Sequence, residues 1–123
     1  MIYDLRQTTI YAYASPVAYA HHVLRLTPIN RMRQRVHAAA LEVDPVPAER
    51  REGYDFFGNH LTWIRLDRPH EELVIKLIAR VTVENFAAVN VGPTPPWQEV
   101  RDAAFAVNDI SPRSPAHYLF ASR

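Results

Sequence analysis

The stretch Leu73-Val74-Ile75-Lys76-Leu77-Ile78-Ala79-Arg80-Val81-Thr82-Val83-Glu84 decides the fold. Its odd positions, Leu73, Ile75, Leu77, Ala79, Val81 and Val83, are all apolar, while Lys76, Arg80, Thr82 and Glu84 fall on even ones. A period of two sustained over this length predicts a half-buried β-strand, because successive side chains of an extended chain leave opposite faces.

Working outward, the same signature recurs. Ile2 to Tyr13 is rich in Thr, Tyr and Ile and sets Tyr3, Leu5, Thr9, Tyr11 and Tyr13 on one face. Val23 to Thr27 turns Leu24 and Leu26 inward and stops at Pro28 and Asn30. Arg35 to Asp44 opposes Ala39, Leu41 and Val43 to Glu42 and Asp44, and Pro45 with Pro47 ends it, since neither can donate to a ladder. Arg50 to Phe57 and His60 to Asp67 flank Gly58-Asn59, a pair suited to the positive φ of a tight hairpin. That hairpin would make Tyr54-Asp55-Phe56-Phe57 and Leu61-Thr62-Trp63-Ile64 antiparallel neighbours, before Arg68-Pro69-His70 turns the chain into the long strand. The expectation is an all-β fold, an antiparallel β-sandwich of six to seven strands occupying residues 1–90.

After Asn85 the character changes. Val91-Gly92-Pro93-Thr94-Pro95-Pro96 reads as an extended, Pro-rich linker. Trp97, Val100, Ala104 and Val107 are spaced for a short amphipathic helix with Pro96 at its first turn. Asn108 to Pro115 reads as a loop, and Tyr118-Leu119-Phe120 forms an apolar knot near the end. Residues 91–123 are therefore expected to be a linker and short helix leading toward a further domain.

Composition narrows the function. The 123 residues include no cysteine, which excludes a disulfide framework, a cysteine-zinc cluster and a thiol nucleophile within them. Fourteen basic and thirteen acidic residues leave a net charge of +1, too balanced for strong global steering toward nucleic acid or an anionic membrane. No run reaches the roughly 18 apolar residues that span a bilayer, and Met1 to Arg6 lacks the start of a secretory signal. The expected location is the cytoplasm, with no membrane partner.

Candidate chemistry is sparse. His21-His22, His37, His60, His70-Glu71-Glu72 and His117 could hold a metal only if brought together across strands, because adjacent strand residues such as His21 and His22 face opposite ways. Ser15, Ser111, Ser114 and Ser122 lack a nucleophile elbow and mostly adjoin proline, as turn serines do. Glu71-Glu72 reads as a solvated strand entrance. Arg31, Arg33 and Arg35, with Arg50-Arg51 on a neighbouring strand and Tyr54, Phe56 and Phe57 nearby, have the ingredients of a single-strand groove. Glu42, Asp44, Glu49, Glu52 and Asp55 cancel much of that field, so nucleic acid is disfavoured and a solvated loop or a patch facing an acidic protein surface preferred. Tyr3, Tyr11 and Tyr13 with Trp63 could line a sugar site but fit a sheet face better. No catalytic, cofactor or metal site is assigned.

Several segments together resemble a known family. They are Thr9-x-Tyr11-x-Tyr13 with Pro16-Val17, Leu24-Arg25-Leu26-x-Pro28, Gln34-x-Val36, Leu41-x-Val43-x-Pro45, Asp55-x-Phe57-Gly58-Asn59, Pro69-His70 and the Leu73 to Val83 strand. In this order, over residues 1–90, they resemble the N-terminal region domain of bacterial transglutaminase-like proteins, and Pro96-Trp97-x-Glu99-Val100-Arg101 is similar to the linker and helix that follow it. The resemblance implies an all-β domain preceding a papain-like catalytic domain, whose Cys, His and Asp perform acyl transfer through a thioester. With no cysteine, none of that triad maps onto this chain. The implied role is a non-catalytic accessory or interaction domain whose partner is its own C-terminal catalytic domain. The alternative is a free-standing binding module for peptide, sugar or single-stranded nucleic acid. Asp55, Phe57, Gly58 and Asn59 are expected to form a structural turn or domain interface, with Asp55 accepting backbone hydrogen bonds. Arg31, Arg33, Arg35, Trp97, Tyr118 and Phe120 are the expected interaction surface, the tail also serving homo-oligomerisation.

Overall fold

The computed structural model describes residues 1–85, 92 and 94–120, in two compact units, Met1–Asn85 and Phe86–Arg123. The first is built from β1 (Ile2–Val17), β2 (Ala20–Leu24), β3 (Gln34–Asp44), β4 (Glu49–Tyr54), β5 (His60–Leu66) and β6 (His70–Val83). All pairings are antiparallel, in two three-stranded sheets ordered β1-β6-β3 and β2-β5-β4.

The long alternating stretch lies at the centre of the first sheet. Leu73 faces Tyr11 on β1, and Leu77 faces Leu41 on β3. Its odd positions from Leu73 to Val81 are at most 5% exposed. Leu73, Ile75, Leu77 and Leu41 pack against Leu24, Ile64 and Leu66 of the second sheet in one core, with Tyr13, Ala20, Leu26 and Val43 around it. Each buried Leu or Ile contributes about 2 kcal/mol by leaving water, so this cluster holds the sheets together. One edge is also tied: Arg50 on β4 donates from Nη1 to the Leu41 carbonyl of β3 at 2.8 Å.

The all-β expectation holds, with local differences. β1 runs past Tyr13 through Pro16 because it is an edge strand whose register breaks between Ala12 and Val17, where no ladder bond is required of proline. β2 begins at Ala20 and ends at Leu24, which faces Thr62; Leu26 packs on the core from outside the strand. The expected two-residue hairpin at Gly58-Asn59 is instead a five-residue turn, because pairing ends at Tyr54 opposite His60 and leaves Asp55, Phe56 and Phe57 outside the ladder. Only Gly58 has a positive φ, 75°.

In the second unit, helix α1 (Trp97–Phe105) follows Pro96, which occupies its N-cap position. It stops short of Val107, whose N–H bonds back to Ala104 O in a tightened last turn. No helix residue is buried. The Arg101 guanidinium lies 5.4 Å over the Trp97 ring one turn away. A 3-10 turn, Pro115–Tyr118, is capped by the buried Ser114, whose hydroxyl accepts from Ala116 N at 3.2 Å. The expected linker falls partly on residues 91 and 93, outside the described residues.

Candidate interaction surfaces

Three places in the first unit concentrate polar or aromatic chemistry. One is a groove of about 610 Å3 on the outer face of the second sheet. Register builds it: Arg65 is flanked by His21 and Glu49, and Trp63 by Val23 and Arg51. Leu61 faces Gly53, and a Cβ added to Gly53 would come within 3.0 Å of the Trp63 ring. The missing side chain is thus the seat of the indole, which would otherwise stand away from the sheet. Along the rim Glu49 accepts from Arg51 Nε at 2.5 Å and from Arg65 Nε at 3.2 Å. Arg51 first, and Arg65 after it, hold the Glu49 carboxyl below its ordinary range. Tyr19 Oη lies 2.9 Å from His21 Nε2. An apolar floor beside fixed charges of both signs suits a ligand with a flat apolar face and a polar edge.

The arginines occupy a smaller pocket of about 270 Å3, lined by Arg31, Arg33, Gln34, Arg35, His37 and Thr82 among others. The expected neighbourhood of Arg50-Arg51 is corrected: they lie on β4, whose partner is β5 in the other sheet, while Arg35 lies on β3 beside β6. Tyr54, at the end of β4, belongs to that other sheet too, so basic and aromatic groups do not interleave along one sheet. Likewise Trp63 faces outward from the second sheet, while Tyr3, Tyr11 and Tyr13 belong to β1 of the first. They form no joint sugar platform.

The third place is the β4–β5 turn. Asp55 accepts from Phe57 N and Asn59 N, both at 2.9 Å, and from Asn59 Nδ2 at 3.0 Å, with Arg25 Nε at 3.5 Å. The bonds from Asn59, backbone first, hold its carboxyl below the ordinary carboxylate range. Its bonds are spent on the turn, a structural use with no group left to react. Phe56 and Phe57 meet edge to face, centroids 5.2 Å apart.

Between the sheets sit two histidines that sequence reasoning left as ordinary turn or surface residues. His22 stacks with Tyr11 at 6.3 Å, and His70 meets Tyr13 edge-on at 5.6 Å. His70 Nδ1 lies 2.9 Å from Arg68 O; a carbonyl only accepts, so Nδ1 donates. Nε2 of both rings is buried without a protein partner. Burial, then the charges of His70 and His21, push the His22 imidazole below its usual value. Among the described residues no three His, Cys, Asp or Glu side chains converge on a point that could hold a metal. Ser114 is consumed by its capping bond, and Ser111 hydrogen-bonds Asp109 at 2.6 Å. In the second unit Trp97, Tyr118 and Phe120 are exposed.

The groove residues escaped sequence reasoning because a cross-strand row has no local motif. The available signal was Gly53 inside a strand, which marks a close approach by another group.

Fold and surfaces define a class: a six-stranded, two-sheet antiparallel β-sandwich without a thiol nucleophile. Residues 3–83 match the bacterial transglutaminase-like N-terminal region, and the chain belongs to that family. Uncharacterized proteins of Mycobacterium tuberculosis and Mycobacterium bovis are each 33% identical over 94 residues, 76% of this chain. The match covers 27% of their length, so the chain spans about a quarter of these relatives. Among solved structures, that of a proposed cysteine protease from Cytophaga hutchinsonii superposes with a TM-score of 0.51 at 11% identity, over 85% of this chain and 45% of that one. At that identity the likeness is one of fold. No described helix is long and apolar enough to cross a membrane.

Proposed function

We propose that this chain is a non-catalytic accessory domain that packs beside, and supports, a transglutaminase-like catalytic domain in a longer cytoplasmic parent protein. The observation that carries the reading is a sandwich complete around its own core, matching an N-terminal family region, yet devoid of the thiol that acyl transfer through a thioester needs. The exposed Trp97, Tyr118 and Phe120 are the surface offered to that domain and, in its absence, to a second copy.

The test uses the full-length mycobacterial relative. Deleting the segment that matches this chain is expected to lower peptide hydrolysis or amine incorporation, and adding the segment back in trans to restore part of it. The 123-residue chain alone is expected to turn over nothing. Turnover by the isolated chain, or a deletion without effect on an active parent, overturns the reading. A binding-module reading is favoured by one observation, the Trp63 groove with its fixed charged rim. It predicts that Trp63→Ala abolishes retention on a glycan or peptide array while leaving the parent's turnover unchanged.

A further inference from the structure

The arginine pocket is built as a receptor. Arg31 and Gln34 exchange reciprocal backbone bonds, N to O, at 2.9 and 3.1 Å, closing a tight turn over Met32 and Arg33. That turn is pinned at its base: Gln34 Nε2 donates to Ile29 O at 2.9 Å, and Asn30 Oδ1 accepts from Val36 N at 2.8 Å. Directly after it comes a β-bulge. Val36 faces Val81 while Ala38 already faces Arg80, so His37 is the extra residue. A bulge re-aims the side chain it carries, and His37 Nε2 lies 2.7 Å from the Thr82 hydroxyl on the neighbouring strand. Two backbone devices, a turn and a bulge, thereby bring Arg31, Arg33, Arg35, His37 and Thr82 to one concavity of about 270 Å3.

The charge of that concavity selects its ligand. Among the described residues its lining holds Arg31, Arg33 and Arg35 with the carboxylate of Glu84. The Arg35 side chain makes no hydrogen bond or ion pair among the described residues, in contrast to Arg51, Arg65 and Arg80, each held by a carboxylate. The Arg31 guanidinium also donates to Asn59 Oδ1 at 3.4 Å, which leaves Arg35 as the guanidinium of this lining that an anion would engage first. Guanidinium forks match tetrahedral oxyanions with paired, charge-assisted bonds. Among the described residues no Phe, Tyr or Trp lines the pocket, and a single-stranded nucleic acid would call for such stacking partners. The pocket, about 270 Å3, has room for a phosphate or diphosphate group.

We infer that the β3 entrance is a binding site for a phosphate-bearing small molecule, with Arg35 as its principal ligand, Arg31 and Arg33 flanking, and the His37–Thr82 pair closing one side. This inference stands apart from the accessory role.

The test is titration of the intact 123-residue chain with inorganic phosphate, pyrophosphate and a sugar phosphate, followed by amide chemical shifts. Saturable shifts confined to residues 31–37 and 82–84 are expected, weakening as salt is raised. Arg35→Gln should reduce affinity roughly tenfold, the loss of one charge-assisted contact. Arg51→Gln on the other sheet should leave it unchanged, and both variants should keep the wild-type amide spectrum elsewhere. Tighter binding of the sugar phosphate than of free phosphate identifies an organic ligand; equal binding identifies the free ion. Absence of saturation, shifts insensitive to Arg35→Gln, or tighter binding of an oligonucleotide with shifts spreading beyond the pocket would overturn the assignment.

Discussion

His22 shows what a single residue contributes here. Its ring sits between the sheets, facing Tyr11 of β1, His70 of β6 and the apolar Ile64 of β5, with His21 beside it on its own strand. Burial disfavours the imidazolium, so the folded protein takes up this proton at lower pH than the unfolded chain, whose value is the ordinary 6.5. Above that pH both states are neutral and His22 contributes no slope. As pH falls below it, the unfolded state is protonated first and stability is lost until the folded ring is protonated as well. Urea unfolding between about pH 5 and about pH 7.5 should therefore show stability falling toward acid, and His22→Leu should flatten that dependence. An identical slope in the variant would show that other groups carry it. The sequence displayed His22 as one histidine among six; its position between two sheets depends on a pairing between β2 and β5 that no local pattern announces.

At the scale of the element, the β4–β5 turn separates what was legible from what was not. Gly58 and Asn59 mark a reversal, and there the chain reverses. The reversal is wider than the expected two-residue hairpin, because the ladder closes at Tyr54 opposite His60 and leaves Asp55 to Asn59 in the turn. Asp55 decides otherwise: three bonds to its carboxylate make a wider turn cheaper than a tight one. A Cβ at position 58 would meet nothing within 4 Å, so substitution there is a backbone experiment free of steric clash. Gly58→Val should lower stability by about 1–2 kcal/mol, the cost of a side chain in the left-handed region. Gly58→Asn should recover part of it, since asparagine tolerates that region. Thermal melts of the two variants decide this: equal melting temperatures for Val and Gly would remove the conformational argument. The strand β6 was readable for the opposite reason. Its alternation is dictated by burial on one face along its whole length, and Leu73 through Val81 obey it without exception.

At the scale of the whole molecule, the two units differ in how they dispose of apolar surface. The first gathers it between two sheets. The second has a helix with no buried residue, and leaves Trp97 67% and Phe120 83% exposed. The amphipathic helix was legible from the spacing of Trp97, Val100 and Ala104, and Trp97 stands exposed as an interaction surface would require. Periodicity reports that a face seeks cover, and it is silent on whether the cover lies in the same chain. Exposed aromatic groups in one short unit carry an unfavourable hydration cost that association removes. Apart from the proposed catalytic domain, the cover proposed for this surface is a second copy, through an interface that repeats the same patch on both partners. Sedimentation should thus show a weight-average mass that rises with concentration. Trp97→Glu combined with Phe120→Ser should return it to the monomer value while leaving the melting temperature of the sandwich unchanged, because neither residue contributes to the core of the first unit. Joining the catalytic region of a longer relative should suppress self-association in the same way, by occupying the surface. A chain that stays monomeric at every concentration would dissociate this surface from the partner role assigned to it.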